Sequence, residues 1–455
     1  MYHSLHYSRT GLLSRAISSL FCGGCGIPLL TAVRLSIQPS RLRVANLGKA
    51  AVLQQPPTRL FCKKGLTKLA APISALTPTS TVWSSLTAHV NQWFYQPDTE
   101  ALEVALTAAC AHYIVESDPV WLFVIGPSSS GKTAIIINAL RNFPNTHIMG
   151  DITTKTLISH AVHAKEAGLL HHIGSSGMLL FKDFTTLISK REDEKKEIAS
   201  QLREVYDGEY KRNSGNDKNP LWKGKITTIA ACTPALERSW GMMRELGERF
   251  VTVRWPRIGG TQMARAAAQQ RGRENSIALQ TAELGRKLFD CLPRHAPEPL
   301  PDALAERCAA LSEIVCNLRA NVTRDSRGDR EIIAIPDVEE PGRINKSLEV
   351  LATTHAQLWH RVPTEDDFRI AHRVGMDCVT SGRRAIFDGL RAATGASITH
   401  GQLASHTGIP FTTVEWIAEE LMALHVIEMN PNATGQREYK FTPKIKDLLE
   451  IVFTK

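Results

Sequence analysis

The first 97 residues contain no aspartate and no glutamate, against ten lysines or arginines. Everything after them carries 44 basic and 45 acidic residues, so the formal net charge of +9 resides in that leading segment. The body is neutral, which removes the high isoelectric point as an argument for a nucleic-acid partner. Residues 1–97 are rich in Arg, Ser and Leu, the composition of an organelle transit peptide; a disordered tail or an upstream stretch added by an early start codon are the plainer readings. No run of 18 apolar residues occurs, so no membrane-spanning helix is expected. Cysteine is sparse in pairs: Cys22 and Cys25 form a lone Cys-x-x-Cys without the second pair a structural zinc site requires. The other seven are scattered, as in a reducing compartment. The expected location is the cytoplasm, with the mitochondrial matrix as the alternative that the leading segment suggests.

What is present is a chain of 455 residues, 43% hydrophobic and 22% charged, long enough for two to four domains. Residues 76–94 and 98–117 carry apolar residues at helical spacing. Five short apolar runs follow, at 120–126, 146–151, 177–183, 225–233 and 249–255, separated by helical segments. That alternation predicts an α/β fold with a five-stranded parallel sheet. Residues 259–390 read as a helical region and 391–455 as a further small domain, after a core at 98–258.

The stretch 126–133, GPSSSGKT, fits G-x-x-x-x-G-K-[ST] without mismatch, between an apolar strand and the helix-compatible TAIIINALRNF. In such a loop the glycines let backbone N–H groups turn toward phosphate oxygens, and the helix N-terminus adds positive potential. Gly126, Pro127, Ser128, Ser129, Ser130, Gly131, Lys132 and Thr133 are therefore the candidate nucleotide-binding residues. Lys132 would neutralise phosphate charge and the Thr133 hydroxyl would ligate Mg²⁺. About 50 residues on, GMLLFKDF ends a strand in Asp183, where a carboxylate can complete the Mg²⁺ shell. The residue after it is Phe184 rather than an acid, so the candidates for a general base are displaced to Asp151, Glu204 or Asp207.

With these motifs in this order the chain resembles the AAA+ ATPases over residues 119–390. The resemblance implies roles for further residues. Thr233, ending KITTIAACTP, corresponds to the polar residue that senses the γ-phosphate. Arg249, in RELGERF, corresponds to an arginine finger directed into a neighbouring subunit. Arg343, in EEPGRINKSLEV, corresponds to the nucleotide-sensing arginine of the lid. The stretch from LREVYDGEYKRNSG to ITTIAACTPALE looks like the hairpin insertion of minichromosome-maintenance helicases and bacterial enhancer-binding activators. The chain as a whole looks most like uncharacterised AAA+ proteins of phages and mobile elements. Lys182 departs from the usual pattern, standing where the first residue of an acidic pair is expected.

The last segment has the spacing of a winged helix-turn-helix: a short helix with Leu403 and Ala404, a turn at Gly408, and a second helix from about Thr412 to Leu424. Two strands around a glycine turn then carry Arg437 and Lys440, with Lys444 and Lys446 just after. Glu415, Glu419 and Glu420 on the second helix argue against phosphate contact unless they face away.

The expected function is thus ATP- and Mg²⁺-dependent ATPase activity in a homo-oligomeric ring, a hexamer by resemblance, coupled to DNA translocation or remodelling. DNA would be held by Lys211, Arg212, Lys218, Lys223 and Lys225 of the hairpin and by the winged helix. The alternatives are a nucleotide-gated DNA-binding regulator and a protein remodeller without a nucleic-acid role.

Overall fold

A computed structural model describes residues 77–158, 168–211, 221–239, 246, 249–325, 330–393 and 397–453. The chain enters through α1 (Pro78–Trp93), started by the Thr77 hydroxyl accepting from the Ser80 N–H at 3.2 Å and by proline at the first helical position. Leu86 and Val90, one turn apart, are buried. The leading segment therefore ends before residue 78, not at 97: its last twenty residues belong to the folded body. Next comes α2 (Thr99–Ile114), capped by Asp98 and buried on nearly every side by its small residues.

All five expected strands form. They are β1 (Trp121–Ile125), β2 (Thr146–Met149), β3 (Ser176–Phe181), β6 (Lys225–Cys232) and β7 (Phe250–Arg254), ordered β2-β3-β6-β1-β7 and parallel throughout. Alternate residues divide between two cores. Leu122, Val124, Leu180, Ile229 and Val251 face one side; Trp121, Phe123, Phe181, Ala230 and Phe250 face the other. A sheet covered on both faces needs such nearly continuous apolar strands, and the sequence supplies them.

Between the strands lie α3 (Asn138–Leu140), α4 (Leu169–Ile173) and α5 (Glu192–Tyr206), with a hairpin of β4 (Glu209–Lys211) and β5 (Leu221–Lys223) leading into β6. Its base is anchored by buried Tyr210 and Trp222, the latter donating to the Gly174 carbonyl at 2.7 Å. After β7 the chain becomes helical: α6 (Thr261–Gln269), α7 (Glu274–Asp290), α8 (Asp302–Arg319), α9 (Gly342–Leu358), α10 (Glu365–Asp377) and α11 (Ser381–Ala392), interrupted by the short strands β8 (Thr323–Arg324) and β9 (Ile332–Ala334). These helices share one continuous apolar core with α1, α2 and one face of the sheet. The junction is tight at β7, whose outward amides are taken by side chains: Thr252 N–H by Cys378 Sγ at 3.3 Å and Arg254 N–H by Asp377 Oδ2 at 2.8 Å.

The final segment forms β10 (Ile398–Thr399), α12 (His400–Thr407), α13 (Phe411–Ala423), β11 (Ile427–Pro431), β12 (Arg437–Phe441) and α14 (Pro443–Phe453), with sheet order β10-β12-β11. Gly408 ends α12 in the left-handed region, as the turn requires. Leu403, Val414, Ala418, Leu421 and Tyr439 fill its interior. Among the described residues no helix is long and apolar enough to cross a membrane.

Candidate functional site

In a parallel sheet the carboxyl ends of all strands open onto one edge, where the loops that leave them converge. Here that edge gathers Gly126 after β1, Asp151 after β2, Asp183 after β3, Thr233 after β6 and Trp255 after β7. Because β6 lies between β1 and β3, Thr233 stands between the glycine loop and Asp183.

The loop is built around Trp255. Its backbone N–H donates to the Ile125 carbonyl at 2.7 Å and its indole Nε1 to the Ser130 carbonyl at 3.1 Å. A side chain at Gly126 would come within 2.6 Å of Trp255 Cβ, so only glycine fits. Gly131 sits at φ +85°, which again favours glycine. The curled loop encloses Lys132, which is 7% exposed and donates from Nζ to the Pro127 carbonyl at 2.9 Å. Burial lowers its pKa from the usual lysine value, while the charge of Asp183 pulls the other way. The Ser130 hydroxyl is buried without any hydrogen-bond partner. Buried donors are rarely left so, and this one belongs to the glycine loop itself.

Thr133 opens the following helical turn, Thr133–Ile137, and its hydroxyl donates to the Lys182 carbonyl at 3.4 Å, tying the loop to the end of β3. Asp183 Oδ1 accepts from the Thr185 N–H at 2.9 Å. The Thr185 hydroxyl accepts from the Thr233 N–H at 2.9 Å and lies 3.2 Å from the Thr233 hydroxyl. Beside the loop is a cleft of 330 Å³ lined by Phe94 and Tyr95, just after α1, by Met263 and Ala266 of α6 and by Gln270, which follows it. None of these five was singled out from sequence. The proximity of two aromatics to the loop depends on α1 folding back, and nothing local to residues 94–95 signals it.

No family model and no curated protein matches this chain.

The two arginines lie elsewhere. Arg249 precedes β7 at the amino edge, separated from the loop by the strand's length, roughly 15 Å. It pairs with Asp207 at 2.7 Å and lies over the Tyr206 ring. Arg343, at the start of α9, is also at this edge, where its charge acts on the Tyr206 phenol. Both thus lie at the edge opposite the loop of their own chain. Glu204 and Asp207, at the end of α5, share the amino edge and are removed as base candidates for this site; Asp151 alone remains.

The basic residues expected to hold DNA divide. Lys211 and Lys223 are exposed on the hairpin, Lys223 in an exposed pair with Glu209 at 3.0 Å. Arg212 and Lys218 lie outside the described residues. Lys225 is not a hairpin contact: it is tucked into the body, donating to the Val115 carbonyl, and burial lowers its pKa. On α13, Glu419 and Glu420 are not free acids: Arg324 binds both, Arg383 binds Glu420, and Arg330 covers Trp416, although Glu419 stays partly open to solvent. These occupy the helix side opposite its buried Val414, Ala418 and Leu421, so the later half of the outer face is engaged by the chain itself, while Phe411 and Thr412 at its start are exposed. Arg437, Lys440 and Lys444 pair with Glu415, Glu428 and Glu313.

Proposed function

We propose that this protein is a P-loop ATPase of the AAA+ type that works as an oligomer and uses ATP hydrolysis to move along or remodel DNA. The observation that carries the nucleotide reading is the buried Lys132 ammonium, curled inside a loop that also leaves the Ser130 hydroxyl unsatisfied. A buried ammonium spending itself on its own loop's carbonyl is a stand-in arrangement; the β- and γ-phosphates are the stronger partners for it. The base fits the cleft beside Phe94 and Tyr95. The Thr133 hydroxyl and the Asp183 carboxylate are hard oxygen donors suited to Mg²⁺, which when bound would offset phosphate charge. Thr233, held by Thr185, is positioned to orient the γ-phosphate.

Arg249 lies at the opposite edge from its own chain's loop, held against Asp207 and the Tyr206 ring, and would have to leave Asp207 to act on another copy. In a ring a neighbouring copy's Arg249 would supply the charge that stabilises the transferring phosphoryl group. For DNA, the hairpin with Lys211 and Lys223 is the favoured contact, and the C-terminal winged helix serves to brace the helical region.

The test is steady-state ATP turnover by the full chain, with and without single-stranded and duplex DNA at two salt concentrations, beside Lys132→Ala. DNA stimulation that weakens with salt supports the motor. A Lys132-dependent rate indifferent to DNA favours the second reading, a protein remodeller. One observation speaks for that reading: residues 397–453 hold four basic against seven acidic residues, with the later half of the expected reading helix already engaged by Arg324 and Arg383. The same occupancy argues against an operator-binding regulator.

A further inference from the structure

The nucleotide reading leaves one role unfilled. A hydrolase of this kind needs a polar side chain, often a carboxylate, to orient the attacking water, and the position after Asp183 cannot provide it. Phe184 is 1% exposed, with its ring 5.3 Å from Phe123 and 5.2 Å from Phe181, so that position points into the core beneath the sheet. A charged group there would be buried without a partner.

We infer that Asp151, at the end of β2, is the catalytic carboxylate that orients and deprotonates the attacking water. This rests on the nucleotide reading above. The geometry runs through the backbone of a single residue. The Lys182 carbonyl accepts from the Thr133 hydroxyl, and the Lys182 N–H donates to the Met149 carbonyl at 3.1 Å. The loop and the end of β2 are thus joined across one residue of β3's exit, with Asp151 two positions past Met149. A second link comes from Thr186, whose hydroxyl reaches Asp151 Oδ1 at 3.4 Å and the Asp183 carbonyl at 3.1 Å. Asp183 and Asp151 therefore flank one turn, the first capping it at the Thr185 N–H and the second half exposed at the same edge. Lys190 holds Asp151 Oδ2 at 2.9 Å and also approaches Glu194 at 3.6 Å, so it has a second acid to pair with when Asp151 turns to water.

In the step, the oxygen of a water bonded to Asp151 forms its bond to the γ-phosphorus as the bond from phosphorus to the β,γ-bridging oxygen breaks. The electron pair of that bond leaves with ADP. The water proton passes to the Asp151 carboxylate and then to solvent. ATP and water are the only reactants.

The experiment compares the full chain with Asp151→Asn, Asp151→Glu and Lys132→Ala. Three quantities are read: the dissociation constant of a fluorescent ATP analogue, turnover, and capture of ADP with fluoroaluminate, which mimics the transferring phosphoryl group. Asp151→Asn should keep the dissociation constant within about threefold, lose turnover on the order of 100-fold or more and lose fluoroaluminate capture, with Asp151→Glu recovering part of each. Turnover by Asp151→Asn within about fivefold of the unaltered chain overturns the inference and leaves the ATPase reading standing. If the unaltered chain binds nucleotide through Lys132 but does not hydrolyse it, the inference also falls while the binding site stands. Failure to bind nucleotide at all overturns both. Since Asp151 is half exposed, the substitution leaves the fold intact, and retained nucleotide affinity checks that directly.

Discussion

Arg249 is clasped by Asp207, whose two carboxylate oxygens accept from Nη2 at 2.7 and 3.0 Å. The pair lies at the amino edge of the sheet, the far end from the glycine loop. An arginine oriented by a carboxylate and remote from its own loop has the arrangement called for by the proposal that it acts on another copy.

If it does, Arg249→Ala should lower ATP turnover by about 10³-fold or more with little change in nucleotide affinity. The decisive measurement is a mixture. Lys132→Ala and Arg249→Ala chains, each inactive alone, should regain part of the activity when combined, because some interfaces join an intact loop to an intact arginine. Mixtures as inactive as their components would place Arg249 in a purely structural pair with Asp207.

Gly126→Ala should harm both stability and binding. The added methyl would meet Trp255 Cβ at 2.6 Å and its carbonyl at 2.9 Å, and overpacking of this kind costs about 1–3 kcal/mol. Chemical denaturation and nucleotide titration should each register the change. Unchanged values in both would mean that the Trp255 contact relaxes freely.

His355 gives the fold a pH signature. It is buried, with Asp367 Oδ1 at 2.6 Å from Nδ1 and Glu103 Oε1 at 2.9 Å from Nε2. Burial acts to lower its pKa, but the two carboxylates outweigh it and the pKa rises above 6.5. For a raised group the stabilisation is complete below the unfolded pKa and is lost as pH climbs through the folded one. Asp367 behaves oppositely: burial acts to raise its pKa, but His355, Thr364 and Arg361 bring it below 3.8, and its contribution disappears as pH falls past that range. Melting temperature should therefore decline as pH rises beyond 6.5, and His355→Gln should flatten that decline. A variant with the same pH slope as the unaltered chain would remove His355 as its source.

Two truncations test where the body begins. A chain starting at Asp98 loses α1, uncovering the core that Leu86, Val90 and Phe94 fill, which should cost several kcal/mol. A chain starting at Ala71 keeps them. Circular dichroism melting of the two should separate them widely, and coincident melts would mean α1 contributes nothing.

On the hairpin, Lys211→Ala combined with Lys223→Ala should weaken DNA stimulation and reduce the salt slope of binding by about one per lost phosphate contact. Lys225→Ala should instead lower stability. Arg437→Ala should leave DNA stimulation unchanged, since the proposal assigns the DNA contact to the hairpin and not to the wing.

The parts of this fold visible in the sequence are those fixed by local pattern. Each of the five strands is a short apolar run, and the loop carries its glycines and lysine within eight residues. The small C-terminal element was equally plain, with Gly408 turning where expected. What was hidden depends on pairing between distant segments. Asp207 and Arg249 are 42 residues apart; Arg324 and Glu420 are 96 apart. No spacing rule links such partners, so the acidic face of α13 read as an exposed repulsive surface when it is in fact neutralised. The same holds for Phe94, which joins the site only because α1 packs against α7. Asp151 was one of three acids of equal standing until the strand order separated the two edges of the sheet.

The amides of Thr252 and Arg254 are claimed by Cys378 and Asp377, so β7 has no free hydrogen-bonding row to offer another polypeptide. Growth of this sheet by strand addition is therefore closed off on that flank, whether the incoming strand belongs to a second copy, a bound peptide or a misfolded neighbour. Copies that meet there must do so through side chains, leaving each sheet a separate unit that can rotate against the next instead of fusing with it.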